Sequence, residues 1–196
     1  MLALALRTQS RSFPTSRLVS AEELLNHPEW GYCELVRGKV VPVTPPQFEH
    51  GILISWLTFK ITAFVARKKL GKVTAADAGI FTGRKPDTVR GADVAFFSNA
   101  RLKKEPRPVG YSTIPPDLCV EVISPGDRFS DLTDKIDEYL AAGVRLVWVI
   151  DPVRNKAHVY SPGQPARLLQ GKDKLSGEDV LPGFKLALNE LFAQLN

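Results

Sequence analysis

Hydrophobic and polar positions along the chain change period several times, and each change predicts an element. Ser20-Ala-Glu-Glu23 has the form of a capping box opening a short helix that carries Leu24 and Leu25. Two strand-like pieces follow, Tyr32–Val36 and Lys39–Val43, turned by Arg37-Gly38 and stopped by Pro45-Pro46. From about His50 to Leu70 the period becomes helical. Leu53, Leu57, Ile61 and Phe64 lie along one face, and Ile52, Trp56, Phe59 and Ala63 widen it, so the pattern predicts a helix covered on much of its circumference. Gly71 fits its C-cap, after the cations Arg67, Lys68 and Lys69.

Strands are then predicted near Val73–Phe81, Asp93–Phe97 and Leu118–Ile123, the last two separated by a basic, proline-bearing segment, Arg101–Pro116. An amphipathic helix is expected from Asp131 to Ala142, ended by Gly143. The most apolar strand, Leu146–Ile150, comes next, and Ala157–Tyr160 follows an Asp151-Pro152 turn. The Gly177–Phe184 region and a short helix near Asn189–Phe192 close the sequence. No repeat and no linker divides two cores, so residues 20–196 read as one α/β domain with a mixed sheet.

Composition narrows the classes. With 196 residues, 44% of them hydrophobic, the chain can bury a core of its own. No apolar run approaches the roughly 20 residues of a membrane span. A formal net charge of +5 and a pI near 9.3 suit an anionic partner. Residues 1–19, which hold Arg7, Arg11 and Arg17 and no acid, read as a flexible tail; an organelle transit peptide is the other reading. Cys33 and Cys119, both in apolar stretches, read as buried thiols in a reducing compartment, which favours the cytoplasm. His27, His50 and His158 are too scattered for a zinc site.

Three polar residues break the pattern. On Leu118–Ile123, alternation puts Cys119, Glu121 and Ile123 on one face and Leu118, Val120 and Val122 on the other. Both faces are apolar, the mark of a central strand, and Glu121 is the exception. It is either a functional carboxylate or one paired with an arginine or with solvent at the strand end. Asp93 opens its strand after Gly91-Ala92, where an aspartate is often only a cap. Lys135 lies at the edge of the inward face set by Leu132, Ile136, Tyr139, Leu140 and Gly143, with Asp134, Asp137 and Glu138 toward the opposite side. It either leans over the preceding strand or pairs along its own helix.

Several runs, in order, resemble one family. They are Tyr32-Cys-Glu-Leu-Val-Arg-Gly-Lys-Val-Val, Pro45-Pro46, Phe48-Glu-His-Gly51, Arg90-Gly-Ala-Asp-Val-Ala-Phe, Pro116-Asp-Leu-Cys-Val-Glu-Val-Ile-Ser-Pro125, Lys135 with Glu138-Tyr-Leu-Ala-Ala-Gly143, Trp148-Val-Ile-Asp-Pro152 and Leu175-Ser-Gly-Glu-Asp-Val-Leu-Pro-Gly-Phe184. From about Ser20 to the C-terminus the chain is similar to the Uma2 family of the PD-(D/E)XK nuclease superfamily. The resemblance implies a restriction-endonuclease-like core of helix, three strands, helix and strand, with a mixed central sheet and an added N-terminal hairpin. It implies Asp93 and Glu121 as ligands of Mg²⁺ or Mn²⁺ and Asp93, Glu121 and Lys135 as the catalytic set of an endonuclease acting on nucleic acid, DNA first.

Two positions depart from the superfamily motif. Ala92 stands where it has proline, and Ile123 where it has lysine, so Lys135 from the next helix takes that lysine's place. Glu34 is an accessory acid or an exposed strand residue; Tyr139 supports Lys135 or is plain core; His50 is expected to be structural. The basic runs at Arg84-Lys85 and Arg101–Arg107 meet a nucleic-acid backbone or form a solvated loop. A homodimer fits the resemblance. A degenerate module that binds nucleic acid or a protein without catalysis is the alternative function.

Overall fold

The computed structural model describes residues 13–104 and 109–196, so most of the expected tail lies outside the described residues. From Val19 the chain is part of the fold: Val19 is buried and its N–H donates to the Gly38 carbonyl. Ser20 caps α1 (Ala21–Leu25) by accepting from the Glu23 N–H. Strands β1 (Cys33–Val36) and β2 (Lys39–Pro42) form the expected hairpin.

Helix α2 (Phe48–Lys68) ends at Lys69 in a left-handed conformation. It leads into the antiparallel pair β3 (Gly71–Gly83) and β4 (Thr88–Ser98), and a short helix α3 (Asn99–Leu102) follows. Next come β5 (Leu118–Val122), α4 (Phe129–Ala142), β6 (Leu146–Asp151) and β7 (Lys156–Tyr160). Strand β8 (Arg167–Gln170) and the small hairpin β9 (Lys174–Ser176) with β10 (Lys185–Ala187) were not foreseen, because each is only three or four residues long. Helix α5 (Leu188–Phe192) closes the fold.

The main sheet runs β2-β1-β4-β5-β6-β7-β8, with β3 also paired to β4. Among the strand pairs of the described residues only β5 and β6 are parallel, and α4 is their crossover, so the sheet is mixed and mostly antiparallel. The succession α2, β3, β4, β5, α4, β6 is the helix, three strands, helix, strand of the restriction-endonuclease-like core.

Two layers cover this sheet. Leu53, Leu57, Ile61 and Val65 of α2 pack on Val94, Phe96, Leu118, Val120 and Trp148. Ile136 and Tyr139 of α4 pack on the other face with Ala95, Cys119, Val147 and Val149. Each fully buried aliphatic chain contributes about 1.5–3 kcal/mol relative to exposure. The alternation along β5 therefore runs as its sequence requires, with Glu121 on the α4 side.

Two expectations need correction. Asp93 does not open its strand: β4 begins at Thr88, and every residue from Thr88 to Phe97 is buried. Arg90-Gly91 reads as a break in sequence, but Gly91 is required by packing. A Cβ there would stand 2.5 Å from the Asp77 Cβ. Nor does the covered face of α2 extend as far as expected, since Phe59, counted in it, is 59% exposed. None of the helices of the described residues is long and apolar enough to cross a membrane.

Candidate active site

Helix α4 is fixed at its end before it presents any side chain. Gly143 adopts φ 99, its N–H and that of Val144 close the last turn, and Arg101 donates to the Gly143 carbonyl at 2.6 Å. Lys135, Glu138 and Tyr139 stand three and four residues apart, so they share a face of the helix. That face meets Glu121, which is only 7% exposed. The Tyr139 hydroxyl donates to Glu121 Oε1 at 2.8 Å, and Lys135 Nζ to Oε2 at 2.8 Å. Burial pushes the Glu121 carboxyl up to about 8, a rise that Lys135 opposes and Asp93 reinforces. Burial works against the Lys135 charge, but Glu121 and Glu34 overcome it and raise its pKa.

Glu34, from β1, completes this cluster. Its Oε1 lies 3.2 Å from Lys135 Nζ and accepts the Gly91 N–H at 3.0 Å, while Oε2 accepts Arg90 Nη1 at 2.9 Å. Arg90 also reaches Glu138, by Nε at 2.6 Å and Nη2 at 3.1 Å. One guanidinium thus ties β1, β4 and α4 together, a use of the rigid arginine fork that lysine could not copy. Burial would raise the Glu34 carboxyl, but Lys135 and Arg90 hold it below its ordinary range.

The β4–β5 register runs toward a position where Asp93 would stand opposite Glu121. The pairs Ala95↔Cys119 and Val94↔Val120 carry the register toward Asp93 and Glu121, but the Asp93 carboxylate interrupts it. Its Oδ2 takes the Val122 N–H at 2.6 Å and lies 3.4 Å from His50 Nε2. Both contacts use one oxygen and leave Oδ1 outside them. On the other edge of β4 the register with β3 shifts between Ala75 and Ala78, opposite Asp93. Ala76 and Asp77 there have φ of 58 and 53, a left-handed pair of non-glycine residues, which is uncommon and costly. Tyr32 donates its hydroxyl to Asp77, whose carboxyl is raised by burial and by Asp93.

The structure brings Glu121, Lys135, Tyr139 and Glu34 into direct contact, with Asp93 adjacent on the next strand. Glu34 and Tyr139 are thus inside the cluster: one is not an exposed strand residue and the other is not plain core. Sequence reasoning put Glu138 on the wrong side of its helix, because a helical wheel does not show that Arg90 projects from β4 to meet it. His50, Asp77 and Tyr32 also belong to the cluster; His50 and Tyr32 carried a signal, their places in the Phe48–Gly51 run and in the run that begins at Tyr32, and Asp77 carried none. Of the basic segments, Arg101 is committed to Asp117 at 2.9 Å as well as to Gly143, and Arg84 lies over the Phe81 ring at 3.4 Å. Residues 105–108 lie outside the described residues.

Five carboxylates (Glu34, Asp77, Asp93, Glu121, Glu138) face two permanent cations, Arg90 and Lys135, in this cluster. Among the described residues no group of three His, Cys, Asp or Glu side chains forms a ready metal cage. Magnesium needs less, since it is held by one or two carboxylates and keeps several waters. Asp93 and Glu121, backed by an excess of negative charge, fit that donor set.

The comparisons agree with this architecture. A protein from Anabaena variabilis ATCC 29413, described as "a putative nuclease belonging to DUF820", superposes with a TM-score of 0.80 at 22% identity, over 91% of this chain and 99% of that one. At that identity the match speaks for the fold. No curated protein matches the chain. The family model Uma2, described as "Putative restriction endonuclease", matches residues 21–189, which contain every member of the cluster from Tyr32 to Tyr139, and the chain therefore belongs to the Uma2 family.

Proposed function

We propose that this protein is a Mg²⁺- or Mn²⁺-dependent endonuclease that hydrolyses phosphodiester bonds, with DNA as its substrate. One observation carries the reading: the β4–β5 register, paired as far as Val94↔Val120, runs on to bring Asp93 opposite Glu121, and the Lys135 ammonium lies 2.8 Å from Glu121. Asp93 and Glu121 would hold the metal ion. Such an ion, when bound, polarises the phosphodiester and lowers the pKa of a coordinated water.

The chain's own groups do the rest. Val122 N–H orients Asp93, and Tyr139 orients Glu121 through Oε1. Lys135 brings a positive charge to the place where charge grows on the phosphate oxygens. Glu34 and Arg90 hold the lysine there. Hydrolysis consumes one water: its oxygen joins phosphorus, and the departing sugar oxygen keeps the bonding pair and gains a proton.

The test is nicking of supercoiled plasmid DNA. Wild-type protein nicks in Mg²⁺ or Mn²⁺ and stops with chelator, while Asp93→Asn and Glu121→Gln lose the activity. Wild type and both variants digesting at one background rate overturns the reading.

One observation favours a second reading, a non-catalytic module that binds nucleic acid or a protein. Glu121 already has two internal partners, Lys135 and Tyr139, and needs no ion to be satisfied. That reading expects no calorimetric Mn²⁺ binding, and binding abolished by Asp93→Asn would exclude it.

A further inference from the structure

A trough runs along the uncovered side of α2 and ends at the carboxylate cluster. Its inner hollow, about 940 Å³, lies between α2 and the bulge of β3, with Tyr32, Thr58, Phe59 and Asp77 among its walls. A second hollow of about 790 Å³ continues it past Phe48 and Trp56, and the two share the wall at Phe59. Tyr32 and Asp77 at the inner end are joined to one another, and Asp77 lies close enough to Asp93 for their charges to interact.

Resting on the nuclease reading, we propose that this trough holds an unpaired stretch of the substrate strand, with bases laid on the α2 aromatics and the backbone led to Asp93. Its chemistry suits bases rather than phosphates. The exposed rings of Phe48 and Phe59 offer flat apolar faces on which any base can lie, and Trp56 between them carries the Lys60 ammonium 4.7 Å over its ring. Asp77 supplies acceptors for a base edge at the inner end. No cation lines either hollow, so a duplex, whose outside is phosphate, finds no partner in it. Substrates with a single-stranded tail, a gap or an unpaired branch would then be preferred over intact duplex.

The experiment is fluorescence anisotropy of labelled oligonucleotides in buffer with chelator, so that no cleavage occurs. Single-stranded and blunt duplex forms of one sequence are compared on wild type, Phe59→Ala and Ala63→Trp. Phe59 and Ala63 are exposed on α2, so neither change disturbs the core. The single strand should bind at least tenfold more tightly than the duplex, and Phe59→Ala should weaken it about tenfold, the scale of one lost base–aromatic stack. Ala63→Trp should weaken it as well by filling the trough. Equal affinity for both forms, or single-strand affinity that neither variant changes, overturns the proposal. So does a wild-type dimer in sedimentation that both variants dissociate without touching strand affinity, since the trough would then seat a second copy. Nicking that persists while strand preference is absent sinks this inference alone; strand preference without any metal-dependent nicking sinks the nuclease reading instead.

Discussion

Lys135 and Glu121 meet at 2.8 Å across a helix–strand junction, with Lys135 also 3.2 Å from Glu34. Ile123, the residue after β5, is apolar, and the ammonium beside Glu121 comes from α4. Lys135→Met keeps the aliphatic stem and removes the charge. It should lower the nicking rate about 10²- to 10³-fold, the scale for losing one aimed electrostatic donor, while circular dichroism stays native. An unchanged rate would remove Lys135 from the catalytic set.

Tyr139 has both a packed ring and a hydrogen bond to Glu121. Tyr139→Phe keeps the ring and leaves Glu121 Oε1 without its donor. Urea unfolding should show a loss of about 1–3 kcal/mol, the cost of stranding a buried polar partner. A variant as stable as wild type would mean that the hydroxyl contributes nothing net.

Arg90 should be the costliest of these residues to remove. Arg90→Leu leaves Glu138 with only the Thr82 hydroxyl and takes from Glu34 one of its two cations, and stability should fall by about 3–5 kcal/mol. In the background of Glu138→Gln the same change should cost visibly less, because the charge that loses its cation is gone. Additive losses in the double-mutant cycle would show that the two residues do not interact.

Much of this site was legible from period alone, and what was not has a common cause. Glu121 stood out because a two-residue alternation leaves a carboxylate between Cys119 and Ile123 on an apolar face. Lys135 fell at the edge of a helical face by the same kind of counting. Counting within one element could not show that Arg90 crosses to Glu138, since that contact joins β4 to α4. The bulge at Ala76-Asp77 was invisible for another reason. Ala75-Ala76-Asp77-Ala78 holds no glycine, proline or asparagine to announce a left-handed turn, so tertiary packing imposes it. The early start of β4 was hidden because Arg90 and Gly91 mimic a loop.

Asp117, away from the carboxylate cluster, should govern acid stability. Burial alone would raise its carboxyl, but the Ser98 N–H and the Arg101 guanidinium outweigh burial and hold it below its ordinary range. A lowered folded-state pKa gives stability that is present above the unfolded value and lost as pH falls through the folded one. Asp117→Asn should therefore be less stable than wild type at neutral pH. The gap should close in acid, well below the ordinary aspartate value of about 3.9. Urea titrations at both pH values check it, and a gap independent of pH would mean that the charge is not what stabilises.

Gly91 tests whether the strained bulge serves the site. A methyl group at this position would meet the Asp77 Cβ at 2.5 Å and the Asp77 carbonyl oxygen at 2.9 Å, closer than packed atoms approach. Gly91 N–H also donates to Glu34, so the backbone has little room to retreat. Gly91→Ala must then either push the β3 bulge outward or break the Glu34 contact. Either movement shifts the groups around Asp93 by a fraction of an ångström or more, and a displacement of about 1 Å costs on the order of 10²-fold in rate. The variant should fold with a loss of about 1–3 kcal/mol, the range for overpacking, and nick plasmid far more slowly than that loss explains. Asp77→Ala in the same chain does not relieve the clash, because the contacts are with the Asp77 Cβ and backbone. Asp77→Gly removes the Cβ and suits the left-handed φ, so it should recover stability in the Gly91→Ala background. Failure of that rescue would show that Gly91 answers to something other than the bulge.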